Sequence, residues 1–242
     1  FPVRLLQGCE SVDPASGDLR VRDSDTGRLV RRSARLVIGA DGANSAVRTA
    51  LQRTTRMDLT QRYFSVGYKE LVWTPPDGPR FGRNHLHFWP RPNRLLIGFP
   101  NRDGSLTLTL HMPLDGPMSF AETGEPDRLA EVFAASFPDV GPFDDREWQA
   151  FAARPANEMV TVRCRPWSSG RVVLIGDSAH AIVPYYGQGV NAGFQDASAL
   201  AREIVAHPDD PSLAFGRYEE ARRAGSEVIA DLAELHCSDL QG

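Results

Sequence analysis

Cysteine is scarce in this chain. Cys9, Cys164 and Cys237 are the only three in 242 residues. They are odd in number and far apart, which argues against a disulfide framework and favours a reducing, cytoplasmic setting. No CxxC or HExxH spacing occurs, so no zinc or metalloprotease signature is present. No stretch of about 18 consecutive apolar residues exists that could form a membrane span. Neither sign of charge dominates: 27 Lys and Arg stand against 31 Asp and Glu, for a net charge of −4. The chain therefore has no basic field to attract nucleic acid or an anionic membrane. The opening FPVRLLQGCE has neither Met nor the organisation of a signal peptide. Nor does a Gly-x-Gly-x-x-Gly follow an early strand; Gly8 stands alone. What is left is an α/β or α+β protein, or part of one, long enough to bury a sizeable core in one large or two small domains.

The pattern of what is present divides by period. Val3–Leu6 and Leu19–Arg22 read as strands around the turn signals Asp13–Asp18 and Asp25–Gly27. Leu36–Ile38 reads as a short buried strand, and Asn44 or Ser45 can cap a helix through Leu51. Residues from about 60 to 112 read as antiparallel sheet, broken at Pro75–Gly78, with Leu106, Leu108 and Leu110 alternating with Thr107, Thr109 and His111. Pro126–Phe137 reads as an amphipathic helix, followed by a polar loop and a return strand at Met159–Arg163. A helix from Gln188 places Val190, Phe194, Ala197, Ala201 and Ile204 at helical spacing and ends at His207-Pro208. A last helix from Pro211 to beyond Leu235 is expected to bury Leu213, Phe215, Tyr218, Ala221, Val228 and Leu232.

Two turns carry chemistry. In LVIGADGANSAVR, Gly39 and Gly42 permit a sharp turn, Asp41 sits at a strand tip, and Arg48 can meet a phosphate or pair with that aspartate. An aspartate here can equally cap an ordinary strand–turn–helix, and the residues alone leave both readings open. In RVVLIGDSAHAIVPYYGQGVNAGFQDASAL, Asp177 follows a buried strand, at the sheet edge where open α/β sheets bind ligands. Its carboxylate suits a ribose or ribityl hydroxyl. Pro184 fixes the entry to the turn, Gly187 and Gly189 let backbone amides approach a planar ring, and the helix that starts near Gln188 to Asn191 aims its positive end there.

Together these turns resemble the two flavin-contacting motifs of the FAD-dependent aromatic hydroxylases. SVGYKEL (65–71), HLHFWPR (85–91), the stretch 100–113 and AHAIVPYYGQGVNAGFQD (179–196) extend the resemblance, in order, to the kynurenine-hydroxylating branch. The resemblance implies an α/β fold of the flavoprotein-hydroxylase, p-hydroxybenzoate-hydroxylase-like type, partial here, with an inserted antiparallel-sheet substrate domain. Residues 1–56 and 166–242 would belong to the FAD-binding domain and 57–165 to the substrate domain. It implies reduction of FAD by NADPH, addition of O2, and hydroxylation of a small aromatic amine ortho to its nitrogen. No protein base is assigned, because an arylamine pushes its own electrons into the ring; the protein's part is to exclude water.

Carried over residue by residue, the resemblance assigns Asp41, Ser45, Asp177, Pro184, Gly187, Gln188, Gly189, Val190 and Asn191 to the cofactor. Tyr185 and Tyr186 stand where the family has a Phe pair beside the substrate, Leu106 replaces an aromatic on the substrate sheet, and His236 replaces a substrate-binding Asn. These departures leave a related aryl amine, or a phenol or indole-derived ring, as alternatives. The family's dinucleotide fingerprint would lie upstream, so the chain reads as an internal portion that alone binds FAD weakly or not at all. A truncated inactive remnant or a flavin-free interaction domain is the competing reading. Lesser candidates read as structural: His85 and His87 as a strand-face pair without metal, His180 as a core histidine, and Arg222-Arg223 as a solvated helix face. Trp73, Phe88 and Trp89 suit core or substrate wall equally.

Overall fold

The structure, a computed structural model, describes residues 7–75 and 81–239, with side chains described to residue 235. The strand read at Val3–Leu6 and most of the break at 75–78 lie outside these residues. In chain order come β1 (Gln7–Val12), β2 (Asp18–Asp23), β3 (Leu29–Ser33), β4 (Val37–Gly39), α1 (Ala46–Thr54), β5 (Asp58–Trp73), β6 (His87–Arg91), β7 (Arg94–Pro100) and β8 (Leu106–Pro113). Then follow α2 (Pro126–Ser136), α3 (Asp145–Ala153), β9 (Asn157–Arg165), β10 (Ser168–Ser169), β11 (Val172–Leu174), α4 (Asp177–His180), a 3-10 turn (Pro184–Tyr186), α5 (Gly189–Ala206) and α6 (Pro211–Asp239).

The chain divides into two compact units. Among the described residues, one comprises 7–62 and 160–235, the other 63–75, 81–159 and 236–239. In the first, β1, β2 and β3 form an antiparallel meander, while β10, β11 and β4 form a small sheet in that order. β11 runs parallel to β4, with Val172, Val173 and Leu174 opposite Val37, Ile38 and Gly39. Its core joins Val37, Val47, Leu51, Val172, Val173 and Leu174 to Leu200, Phe215 and Tyr218. Ile38, expected to be buried, is 47% exposed because only one face of β4 is covered.

The second unit is built on antiparallel strands in the order β6-β7-β8-β5, with β9 beyond β5. The period-2 pattern works as physics predicts: Leu106, Leu108, Leu110 and Met112 all point into one core with Leu71, Trp73 and Leu96. Leu129 and Phe133 of α2, Phe137 just after it and Phe151 of α3 complete that core. The segment read as a polar loop contains α3, which a capping box starts: Asp144 accepts from the Glu147 amide at 2.8 Å and Glu147 accepts from the Asp144 amide at 2.7 Å. Asp-x-x-Glu ahead of Trp148 and Phe151 was the available signal.

Both long C-terminal helices bury a different face from the one expected. On α5 the buried residues are Ala192, Asp196, Ala199 and Leu200, whereas Val190 and Phe194 are 69% and 70% exposed. On α6, Phe215 and Tyr218 are buried as read, but Ala214, Ser226, Ala230 and Ala233 join them, and Leu213, Ala221, Val228 and Leu232 are exposed. Small residues won because they let helix backbones come close.

Candidate functional site

The two turns singled out in the sequence leave the same edge of one small sheet, from its two parallel strands. β4 and β11 are paired neighbours, so the chain turns away after Gly39 and after Leu174 side by side. The Ile175 amide donates to Gly39 O at 2.9 Å, and the Ser178 hydroxyl lies 2.6 Å from the same oxygen. Arg48 ties the turns further. Its guanidinium donates to Ser178 O at 2.8 Å and to Ala43 O. The arginine is 3% exposed, so it acts as an internal clamp and not as the phosphate ligand considered from sequence.

Asp41 is exposed, and both its oxygens have local donors: Ser45 Oγ at 2.5 Å and the Val47 amide at 3.1 Å. Ser45 in turn accepts from the Arg48 amide at 2.8 Å as the N-cap of α1. The helix-capping reading of Asp41 is therefore realised. Ser45, expected to touch the cofactor, is wholly buried, and its hydroxyl is spent on Asp41 and the cap. Solvent reaches Asp41 and, in part, the backbone of Gly42, whose φ of 81° a side chain rarely adopts.

The second turn is more open. Asp177 is exposed at the start of α4, behind Gly176 with φ 57° and ψ −141°. The 3-10 turn from Pro184 ends on Gly187, left-handed at φ 61°, and Gln188 leads into α5. No side chain caps α5 and its first turn holds no acidic residue, so its first amides have no side-chain acceptor. A Cβ on Gly187 would meet nothing within 4 Å, and one on Gly189 would approach only Asp177 Oδ1, at 3.9 Å. Asp177 thus lies beside the positive end of α5, and open space flanks Gly187. A carboxylate acceptor for hydroxyls beside bare amides that favour negative charge is what an extended, polyhydroxylated and partly anionic cofactor needs. Asn191 Nδ2 donates to Gln188 Oε1 at 3.0 Å and Gln188 Nε2 donates to Tyr186 O at 3.3 Å, which holds the polar side chains along the rim.

The substrate expectations fare differently. Tyr185 is half-buried and Tyr186 is 47% exposed. Leu106 is 3% exposed and its side chain lies inside the core of the second unit, opposite Trp73, so no wall is left for it to form. The alternation leaves Thr107, Thr109 and His111 on the other sheet face. His111 is 4% exposed, its ring 5.7 Å from that of Tyr68, and burial pushes its pKa down to about 4. The side chain of His236 lies outside the described residues. Trp73 and Trp89 belong to the core, while Phe88 is 56% exposed. His85 precedes β6 and so shares no strand face with His87; no group of three possible metal ligands occurs among the described residues.

Sequence reasoning missed one cluster. Asp196, wholly buried in α5, accepts from the Gly176 amide (2.9 Å), from His180 Nε2 (2.5 Å) and from Arg222 Nε (2.8 Å). Arg222 is therefore no solvated face, and Arg223 pairs with Glu219 and Glu227 at 3.6 Å each. Burial pushes the Asp196 carboxyl up, but His180, Arg222 and the Gly176 amide outweigh it and hold it below the usual carboxylate range. The signal was its spacing: Asp196 shares a helix face with Ala192, Ala199 and Leu200, and an acid on a small-residue face implies a close donor.

The family described as FAD binding domain matches residues 9–233. The kynurenine 3-monooxygenase of Myxococcus xanthus is 39% identical over 236 residues, covering 96% of this chain and 50% of the relative. That of Salinispora arenicola is 41% identical over 234 residues, covering 96% and 51%. The chain spans about half the length of the curated relatives it matches. Klebsiella pneumoniae HpxO, solved with FAD and uric acid, superimposes with a TM-score of 0.74 at 20% identity, covering 98% of this chain and 58% of that one. With the paired turns, the bare start of α5 and the match across nearly its whole length, the chain belongs to the FAD binding domain family and has the α/β fold of the flavoprotein hydroxylases.

Proposed function

We propose that the polypeptide containing this chain is an FAD-dependent monooxygenase that uses NADPH and O2 to hydroxylate an aryl amine, with L-kynurenine, converted to 3-hydroxykynurenine, as the leading substrate. The observation that carries this reading is the convergence of the Asp41 and Asp177 turns at the ends of two paired parallel strands, beside the uncapped start of α5. Similarity of 39–41% to named kynurenine 3-monooxygenases supports the choice of substrate. FAD held at these turns would supply the redox chemistry that couples NADPH oxidation to O2 activation. Asp177 accepts hydrogen bonds from ribityl hydroxyls. The amides from Gly189 to Asn191 favour negative charge on the reduced ring system, by about 0.3–2 kcal/mol for a helix terminus. Gly187 and Gly189 keep the approach free of side chains, while Val190 offers apolar surface at its edge. Tyr185 and Tyr186 form the wall next to the ring to be hydroxylated.

The two phenols make that wall more polar than a Phe pair, which favours a second reading: a related aromatic with an extra polar substituent. A reducing compartment suits the cysteines. Cys164 is buried, with its thiol 3.2 Å from Ala179 O and its pKa pushed up to about 12 by burial, so it stays protonated and inert. No helix among the described residues is long and apolar enough to cross a membrane.

The test is made on the protein as its gene encodes it. Purified protein is expected to be yellow, with absorbance near about 450 nm from bound flavin, and to oxidise NADPH faster with kynurenine than with anthranilate or salicylate. A yellow protein that ignores kynurenine but answers another ring overturns the substrate. A colourless protein that cannot be reconstituted with FAD overturns the flavoenzyme reading itself.

A further inference from the structure

We propose that Asp196 is the positioning residue of the flavin cradle, a buried carboxylate that holds the Asp177 turn against the first turns of α5 and so sets the register between the Asp177 carboxylate and the first α5 amides, the two groups that meet the cofactor. The inference rests on the flavin reading and deepens it.

The geometry begins at Gly176. Its left-handed backbone turns the chain from β11 into α4 and determines where Asp177 points. A Cβ on Gly176 would lie 3.6 Å from Gly193 Cα, so this turn rests backbone to backbone on α5. One helical turn beyond Gly193 stands Asp196, whose Oδ2 clasps the Gly176 amide at 2.9 Å. The same oxygen receives His180 Nε2 from the far end of α4, so both ends of that short helix hang on one atom. Oδ1 receives Arg222 Nε, which fastens α5 to α6. Helices α4, α5 and α6 therefore share a single anionic hub. A fully buried charge is tolerable only when its donors stay in place, so the hub resists small slides of α5 relative to the turn. Such a slide is what the cofactor site cannot accept: Asp177 Oδ1 lies 3.9 Å from the Cβ position of Gly189, in contact range, and a shift along α5 displaces the carboxylate from the first amides of the helix directly. Asp196 itself is wholly inside the protein, with no surface through which to touch a ligand.

A double-mutant cycle in the encoded full-length protein tests this, read as the FAD dissociation constant from quenching of flavin fluorescence, with the flavin midpoint potential and thermal midpoint recorded for each variant. Asp196→Asn keeps the size and one acceptor but removes the charge; it is expected to weaken FAD binding by about tenfold to a hundredfold. In an Asp177→Ala background the same change is expected to cost less than about threefold, because the residue it positions is already gone. Asp231→Asn, which removes an exposed partner of Arg163 elsewhere on α6, serves as control and should leave FAD affinity unchanged. Additive effects of Asp196→Asn and Asp177→Ala, or a lowered thermal midpoint with FAD affinity and potential unchanged, would overturn the proposal in favour of a purely structural network. Should Asp196→Asn not fold, Arg222→Met carries the test: it releases one of the donors, and weaker FAD binding that is again non-additive with Asp177→Ala is the expected result. Failure of the unaltered protein to bind FAD would instead count against the flavin reading, so the two failures are distinguishable.

Discussion

At the scale of single residues, chemistry here is decided by what burial does to polar groups. His111 sits on the face of β8 opposite the leucine core, 4% exposed, and desolvation pushes its pKa from 6.5 to about 4, against smaller opposing effects from the Leu95 and Thr109 backbone. The unfolded chain therefore binds a proton that the folded one refuses between those two values. Stability from this residue is complete above about pH 6.5 and is lost as pH falls toward about 4, by about 3 kcal/mol at most from its own titration. Urea unfolding at several pH values should show this slope, and His111→Gln should flatten it. An unchanged slope would assign the acid sensitivity to other groups. Asp41 and Asp196 show the same rule in carboxylates. The exposed one spends its oxygens on a helix cap, while the buried one is kept ionised by three donors.

At the scale of elements, local signals and tertiary contacts divide the work. The caps of α1 and α3 are local: Ser45 and Asp144 lie directly before their helices and accept from amides three residues on. Asp144→Ala is expected to cost about 0.5–2 kcal/mol, and Trp148, inside α3 and against Phe143 and Phe133, makes that loss readable by fluorescence-detected denaturation. No change in the unfolding midpoint would mean that packing alone holds α3. The strands were legible for a comparable reason. Alternation in 106–112 states which side chains share a face, and Leu106, Leu108, Leu110 and Met112 do share one. Which of the two faces meets helices is not a property of the strand, and that is why Leu106, read as substrate wall, turned out to be core. The helices were less legible. The more apolar stripe of α5, through Val190 and Phe194, lies outside, while the glycine and alanine side lies inside, because Gly176 and Gly193 come within contact of each other.

At the scale of the whole molecule, those exposed stripes are a physical property of the chain as it stands. Val190, Phe194 and Val205 on α5 and Val228, Leu232 and Leu235 on α6 are each 49–80% exposed. Apolar surface left in water in this amount binds amphiphilic dyes and promotes self-association. The 242-residue chain is expected to enhance the fluorescence of anilinonaphthalene sulfonate, and Phe194→Asp to reduce that signal at unchanged helix content; a chain dark to the dye would contradict the exposure of α5. The residues themselves determined the strands and the caps, and placed Asp177 and the Gly187–Asn191 turn at a strand end and a helix start, because each depends on neighbours within a few positions along the chain. Only the tertiary structure decided which faces are buried, that Arg48 clamps the two turns together, and that Asp196 joins α4, α5 and α6. These relations link residues 20 to 130 positions apart, and a one-dimensional pattern carries no information about which distant donor a buried carboxylate will meet.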